Sequence, residues 1–236
     1  MAQHYGPNIV TDGLVLCLDA ADKNSYPGSG ATWSDLSGNN LNGTITNATF
    51  SSTAGGGTLV FDGSGDYVIL PASSILDIQD LTMCSWNYST EYDASMFMFE
   101  KTTNGSVNTQ YSLFYNPSGN NHQIYFRTFG LSVEDLAVAD HANGPVDSQW
   151  NHIVATYDSA AGRKFLYVNT IEIGSDSGLT GTINTNPAGT SIIGAYGSGE
   201  DYFFNGNIAI TMVYNRALSA KEISQNFNAQ RSRFGI

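Results

Sequence analysis

About a dozen short runs rich in β-branched and aromatic residues recur along the chain, separated by clusters of Gly, Asn, Ser and Asp. They include LVLCLDA, GTITNATF, TLVFDG, DYVILP, LTMCSW, SMFMFEK, QYSLFYN, HQIYFRT, WNHIVATYD, KFLYVN, SIIGAY and NIAITMVYN. Turn residues at that spacing stop each run before a helix can form, which leaves an all-β sandwich or barrel as the expected class. Some runs alternate with period two: Ile208, Ile210, Met212 and Tyr214 are placed on one face, Ala209, Thr211 and Val213 on the other. Others are apolar on both faces, as strands covered by a second layer are. Only NRALSAKEISQNFNAQR reads as a helix, with Ser219 as N-cap and Glu222 completing a capping box. Ile223 and Phe227, four apart, are expected to dock it on the sandwich.

With 12% aromatic and 41% apolar residues, the 236 residues can fill a core, and no linker or repeat divides them, so one domain over 1–236 is expected. The net charge of −12 would repel phosphate backbones and anionic lipid, which argues against nucleic acid and membranes as partners. The opening MAQHYGPNIVTDG lacks the basic start and apolar run of a secretion signal, and no run is long enough to span a bilayer, so folding in a cytosol is expected. Cys17 and Cys84 lie inside apolar runs and are expected as buried free thiols.

Seven phrases in order, GLVLCLDA, WSDLSGNNLNGT, LVFDGSGDYV, LTMCSW, QWNHIVATYD, FLYVN and FNGNIAITMVYNRALSAKEI, resemble the laminin-G-like, concanavalin A-like family over roughly residues 12–227. The resemblance implies a two-sheet antiparallel jelly-roll sandwich with a short C-terminal helix. The wording of both ends is similar to stand-alone family members of tailed bacteriophages, including cyanophages. That implies a non-enzymatic virion protein, such as a capsid decoration or tail component, made in the host cytoplasm and bound to other virion proteins and to copies of itself. The chain departs from the family in two places: Ala209 stands where many relatives carry an acid, and Asn169-Thr170 replaces their Asn-Gly turn.

Catalytic patterns are missing. The resemblance would lead to an E-x-D-x-x-E strand in the family's hydrolases, and no such run occurs; Glu91/Asp93, Glu134/Asp135 and Glu200/Asp201 fall in turn-like sequence. No G-x-S-x-G elbow exists, His152 sits inside a strand as a packed imidazole, and His4, His122 and His141 share no spacing. The glycine turns GSGDYV and YGSGED lack a P-loop lysine. An enzyme is not expected, and no cofactor is required.

Two ligand classes remain. Calcium wants six to eight oxygens. Asp35 and Asn39 (with Ser37 between them), Asp62 and Asp66 are its candidate ligands, although WSDLSGNNLNGT fails the EF-hand spacing, and Asp35 and Asn39 also suit turns closed on their own backbone. A glycan wants aromatic platforms beside polar groups: Trp33, Tyr196, Asp201 and Tyr202 are the candidates, with Tyr26 nearby in sequence to Trp33, and Trp33 is equally read as the anchor of its turn. The alternative to the virion role, compatible with it, is an adhesin for host surface polysaccharide, with calcium as a candidate aid. Arg231 and Arg233, on an otherwise acidic chain, are candidates for contact with an acidic neighbour.

Overall fold

The computed structural model describes residues 8–53, 55–90, 94–102, 110–118, 121–139, 142–197, 199 and 201–236, the side chains of 118, 121, 122 and 139 excepted. Sixteen strands among them, numbered in chain order, form two antiparallel sheets. The first runs β14 (Ile171–Ser177), β13 (Arg163–Val168), β12 (Gln149–Asp158), β7 (Leu81–Ser89), β16 (Asn205–Tyr214), β5 (Thr58–Asp62) and β4 (Thr49–Ser51), with β1 (Leu14–Asp19) also paired to β16. The second runs β11 (Asp135–Ala139), β10 (Asn121–Thr128), β9 (Tyr111–Ser118), β8 (Met96–Lys101), β15 (Ser191–Ile193), β6 (Tyr67–Leu70), β3 (Gly43–Thr46) and β2 (Thr32–Trp33). The inner faces meet in one large apolar cluster that includes Leu16, Phe61, Met83, Phe99, Leu113, Phe126, Leu166 and Val213. Burial of these inward-facing residues from both sheets is what holds a sandwich closed.

The first sheet has a second core on its outer face. The helix α1 (Ala220–Gln230) lies over it, started by the expected capping box: Ser219 Oγ accepts from the Glu222 amide, and the Glu222 carboxylate accepts from the Ser219 amide. Arg216 also donates to Glu222 at 2.6 Å, and with the Ser219 bonds this holds that carboxyl down at about 2. Ile223 and Phe227 pack on Trp86, Met212, Tyr214 and Phe234. The N-terminal stretch joins them, Val10 donating its amide to Asn226 Oδ1 and accepting from the Tyr214 hydroxyl. Arg233 is spent inside the fold, with a paired bond to Asp19 at 2.6 and 3.0 Å and a third to the Gly55 carbonyl, so it is not the outward contact expected of it.

Two expectations about strands are corrected. GTITNATF is two strands in different sheets, because Asn47 takes φ +58 and the Ala48 amide turns back on the Thr46 carbonyl, carrying the chain from the second sheet to the first. Ile208 does not share a face with Ile210, Met212 and Tyr214: a bulge between Ile208 and Ile210 shifts the alternation, so Ile208 points into the inner core and the others outward. Asn169 and Thr170 both take positive φ in the turn from β13 to β14, and Asn169 Oδ1 accepts from the His152 amide. Cys17 and Cys84 pair with opposite sides of Met212, two strand spacings apart and beyond disulfide reach. Both are free and buried, and burial pushes the Cys17 thiol up to about 12.

Candidate functional site

The outer face of the second sheet is built from side chains that register places in rows. In one row Phe97 on β8 stands opposite Phe114 on β9, which stands opposite Tyr125 on β10. Their rings stack: Phe97 and Phe114 lie 4.4 Å apart and 2° from parallel, Phe114 and Tyr125 5.1 Å apart and 19° from parallel. The next row holds Glu100, Ser112, Arg127 and Asp135 across β8 to β11. Arg127 Nε and Nη2 donate to the two Asp135 oxygens at 2.7 and 2.8 Å, which raises the guanidinium pKa further and fixes its plane. Its carbon lies 5.1 Å from the Phe114 ring centre. On the other side of the rings, Ser95 donates its hydroxyl to Asn116 Oδ1 at 2.7 Å.

The loop between β15 and β16 closes one end of this face. Tyr196 and Asp201 pair across it, the Phe204 amide bonds back to the Gly194 carbonyl, and the Gly197 amide donates to the buried Glu100 at 2.7 Å. Gly194 takes φ +85 with the Phe61 ring so close that a Cβ would come within 2.4 Å of it, so glycine is required there. The loop thereby sets Tyr196 5.0 Å and Tyr202 6.1 Å from Phe97, with the Tyr202 backbone itself at φ +50. Tyr202 is 48% exposed. The result is a groove of about 310 Å³ lined by Ser95, Phe97, Phe114, Asn116, Arg127, Tyr196 and Tyr202, near the lower end of the range for ligand pockets. Clefts of about 350 and 320 Å³ flank α1, one beside Phe165 and Tyr167 and one beside Asp19 and Arg233. The groove is distinguished from both by rings, an amide, a hydroxyl and a guanidinium converging on one space.

Tyr196 and Tyr202 thus come together as expected, with Asp201 at the same loop's rim. Trp33 does not join them: it is fully buried on β2 among the inner-core residues, so its ring offers no platform, and the reading of it as an anchor is the one the structure bears out. Tyr26 is buried against Phe50 and donates its hydroxyl to the Gly30 carbonyl. Phe97, Phe114, Asn116 and Arg127 were not singled out from sequence. The available signal was the alternation in HQIYFRT, which sends Gln123, Tyr125 and Arg127 to the face opposite Ile124 and Phe126. SMFMFEK and QYSLFYN hid the rest, being apolar on both faces.

The calcium candidates are not one set. Asp35 Oδ1 accepts from the amides of Cys17 and Ser37, and Oδ2 from the Ser37 hydroxyl and the Leu41 amide. Asn39 donates to the Val15 carbonyl and to Ser37 Oγ. These two residues pin the WSDLSGNNLNGT turn to β1. Asp35→Ala strips partners from three backbone amides, and urea unfolding is expected to show a loss of about 3 kcal/mol, with Asp35→Asn losing less. Asp62 and Asp66 lie elsewhere: Asp62 pairs with Asn205 and Cys17 with Met212, seven positions along β16 or about 23 Å. There Asp66 is buried, accepts from the Asp62 amide at 2.9 Å, and has its pKa raised by burial. Among the described residues no group of three or more His, Cys, Asp or Glu is arranged to hold a metal.

His152 is fully buried on the outer face of the first sheet, 4.8 Å from the Trp86 ring, away from the groove. Asp135 is the partner of Arg127, and Glu134 uses its backbone carbonyl to accept from Lys164. Glu91, Asp93, Glu200, His4 and His141, and the side chain of His122, lie outside the described residues.

Two packed antiparallel sheets with a short C-terminal helix make this a jelly-roll β-sandwich. The chain belongs to the concanavalin A-like lectin/glucanases superfamily, whose laminin G family model matches residues 62–224. No curated protein sequence matches it. Among solved structures it is similar to domain 4 of AbnA, an extracellular arabinanase of Geobacillus stearothermophilus solved with arabinotriose, at 18% identity and a TM-score of 0.67 over 91% of this chain and 98% of that domain. It is also similar to Trypanosoma rangeli sialidase solved with the inhibitor DANA, at 18% identity and a TM-score of 0.65, covering 93% of this chain and 33% of the sialidase. The receptor-binding domain of botulinum neurotoxin mosaic serotype C/D matches at 16% identity and a TM-score of 0.65, over 94% of this chain and 52% of that one. At such identities the likeness concerns the fold.

Proposed function

We propose that this chain binds carbohydrate in the groove over β8, β9 and β10 and does so without catalysis. The observation that carries this reading is the convergence of the two loop tyrosines, Arg127, Asn116 and Ser95 on one open space floored by the buried, stacked rings of Phe97 and Phe114. Aromatic surface takes the apolar C–H faces of a sugar while directed polar groups take its hydroxyls. The arabinotriose in the similar arabinanase domain is consistent with that use of the fold. Binding without hydrolysis is supported by the engagement of the two carboxylates in the Arg127 row: Asp135 is held by Arg127 and Glu100 accepts from the Gly197 amide. Turnover of any polysaccharide that vanished on removal of one acid would overturn the non-enzymatic half of the proposal.

A glycan array on the purified protein tests the binding half. Tyr202→Ala and Tyr196→Ala are each expected to weaken a positive signal by about tenfold or more, at about 1.4 kcal/mol per decade. Unchanged binding in both variants would assign any glycan to another surface. A parallel arm with a chelator reports on calcium: Asp62 sits at the base of the tyrosine loop, paired with Asn205, so a metal held between Asp62 and Asp66 would support that loop and its removal would weaken binding.

The resemblance to stand-alone phage proteins supports a second element, that the groove is carried on a tailed-phage particle as a decoration or tail component, among other virion proteins and copies of itself. An adhesin so placed would meet host surface polysaccharide. Mass spectrometry of purified particles lacking this chain would remove that element and leave the groove's role standing.

A further inference from the structure

Resting on that reading of the groove, we infer that the saccharide it accepts is uncharged, neutral sugars being selected over uronic or other acidic ones. The groove's cation is already matched. Arg127 spends Nε and Nη2 on the two Asp135 oxygens at 2.7 and 2.8 Å, and Glu100 lies two strands away in the same row, buried under the loop that its bond to Gly197 holds down. The Arg127–Asp135 pair is neutral as a unit, which leaves the row with no net positive charge to give to a ligand carboxylate. Asp201 at the rim and the chain's net −12 add to the repulsion. The two fully buried lysines are engaged away from the groove: Lys164 donates to the carbonyls of Val133 and Glu134, and Lys101 faces Asp77 and the Gly189 carbonyl. What the Arg127–Asp135 pair offers is a fixed donor, Nη1, beside carboxylate lone pairs that can accept, and neighbouring hydroxyls of a neutral sugar present that combination in return.

Affinity electrophoresis tests this with gels containing neutral xylan, laminarin or arabinan, or acidic polygalacturonate or alginate. The wild type is expected to be retarded by a neutral polymer with a dissociation constant at least about tenfold below that for any acidic one. Its affinity for the neutral polymer is expected to change less than about twofold between about 0.05 and 0.5 M NaCl, since no net charge is paired. Asp135→Asn, which frees the guanidinium, is expected to narrow the neutral-to-acidic gap by about tenfold. Equal or stronger retardation by an acidic polymer overturns the inference and leaves the groove's role intact, whereas retardation by neither class overturns both. Should Asp135→Asn fail to fold, the wild-type salt series decides: binding that falls steeply with salt overturns neutral selection.

Discussion

Replacing Trp86 by alanine is expected to lower the free energy of unfolding by about 4–5 kcal/mol, near the upper end for a single core truncation. Trp86 is fully buried on the outer face of β7 and stacks at 4.1 Å on Phe234 and 5.5 Å on Phe227, with His152 at 4.8 Å. Its Nε1 donates to Gln230 Oε1 at 2.7 Å, so truncation leaves both a cavity and a buried amide without its partner. All three neighbours other than His152 belong to α1 or the turn after it. The loss should therefore be local as well as global: hydrogen exchange across 220–234 accelerates while the inner-facing strands stay protected. Urea unfolding and exchange measured on the same variant check this. A loss under about 1 kcal/mol, or α1 protection equal to the wild type, would show that α1 is held by something other than this stack.

Acid is expected to attack the same place. His152 is buried with neither ring nitrogen hydrogen-bonded, packed against Trp86 and Phe227, and burial pulls its pKa from 6.5 down to about 3. The folded state therefore holds the imidazole neutral, and the unfolded chain binds the proton more readily. The contribution is fully present above pH 6.5, falls as pH drops through the unfolded value, and is exhausted near pH 3. At about 1.4 kcal/mol per pKa unit the window amounts to roughly 4–5 kcal/mol. Glu222, whose carboxyl Arg216 holds low, adds a loss of its own lower in the range. His152→Phe isolates the imidazole, since its neighbours are aromatic and no hydrogen bond is given up. Its stability between pH 6.5 and 4 should be nearly flat where the wild type declines. Parallel profiles for the two proteins would refute the assignment to His152.

The strand pattern was legible because period-two alternation and turn residues are local properties, and the helix because Ser219 and Glu222 write its start into four residues. What was not legible depends on pairing. Asn47 reads as one more polar residue in a run until the two halves of GTITNATF are seen to bond to different sheets. The bulge at Ile208–Ile210 has no marker in NIAITMVYN, and a one-residue slip inverts which side chains are core. The groove was half legible. Tyr196 and Tyr202 stood out because turns advertise exposed rings, but Phe97 and Phe114 sat in runs that looked buried on both sides. They are buried, at about 3% exposure each, by one another and by the loop that covers them. Trp33 shows the reverse failure, a ring in turn-rich sequence that the fold draws wholly inside. Asp35 likewise carries the residue type of a metal ligand and spends it on the amides of β1 and its own turn.

The strap over the first sheet uses both ends of the described chain, Val10 bonded to Asn226 and Phe234 stacked on Trp86, while the groove opens on the outer face of the opposite sheet. The molecule therefore has a back and a front. A tether, fusion partner or larger assembly joined at the C-terminal end would meet the back, and the front would be turned outward without any hinge or reorientation. Immobilising the protein through a C-terminal tag should for that reason leave the groove accessible, and many copies so held would present it in parallel, where even weak individual contacts with a polymer reinforce one another.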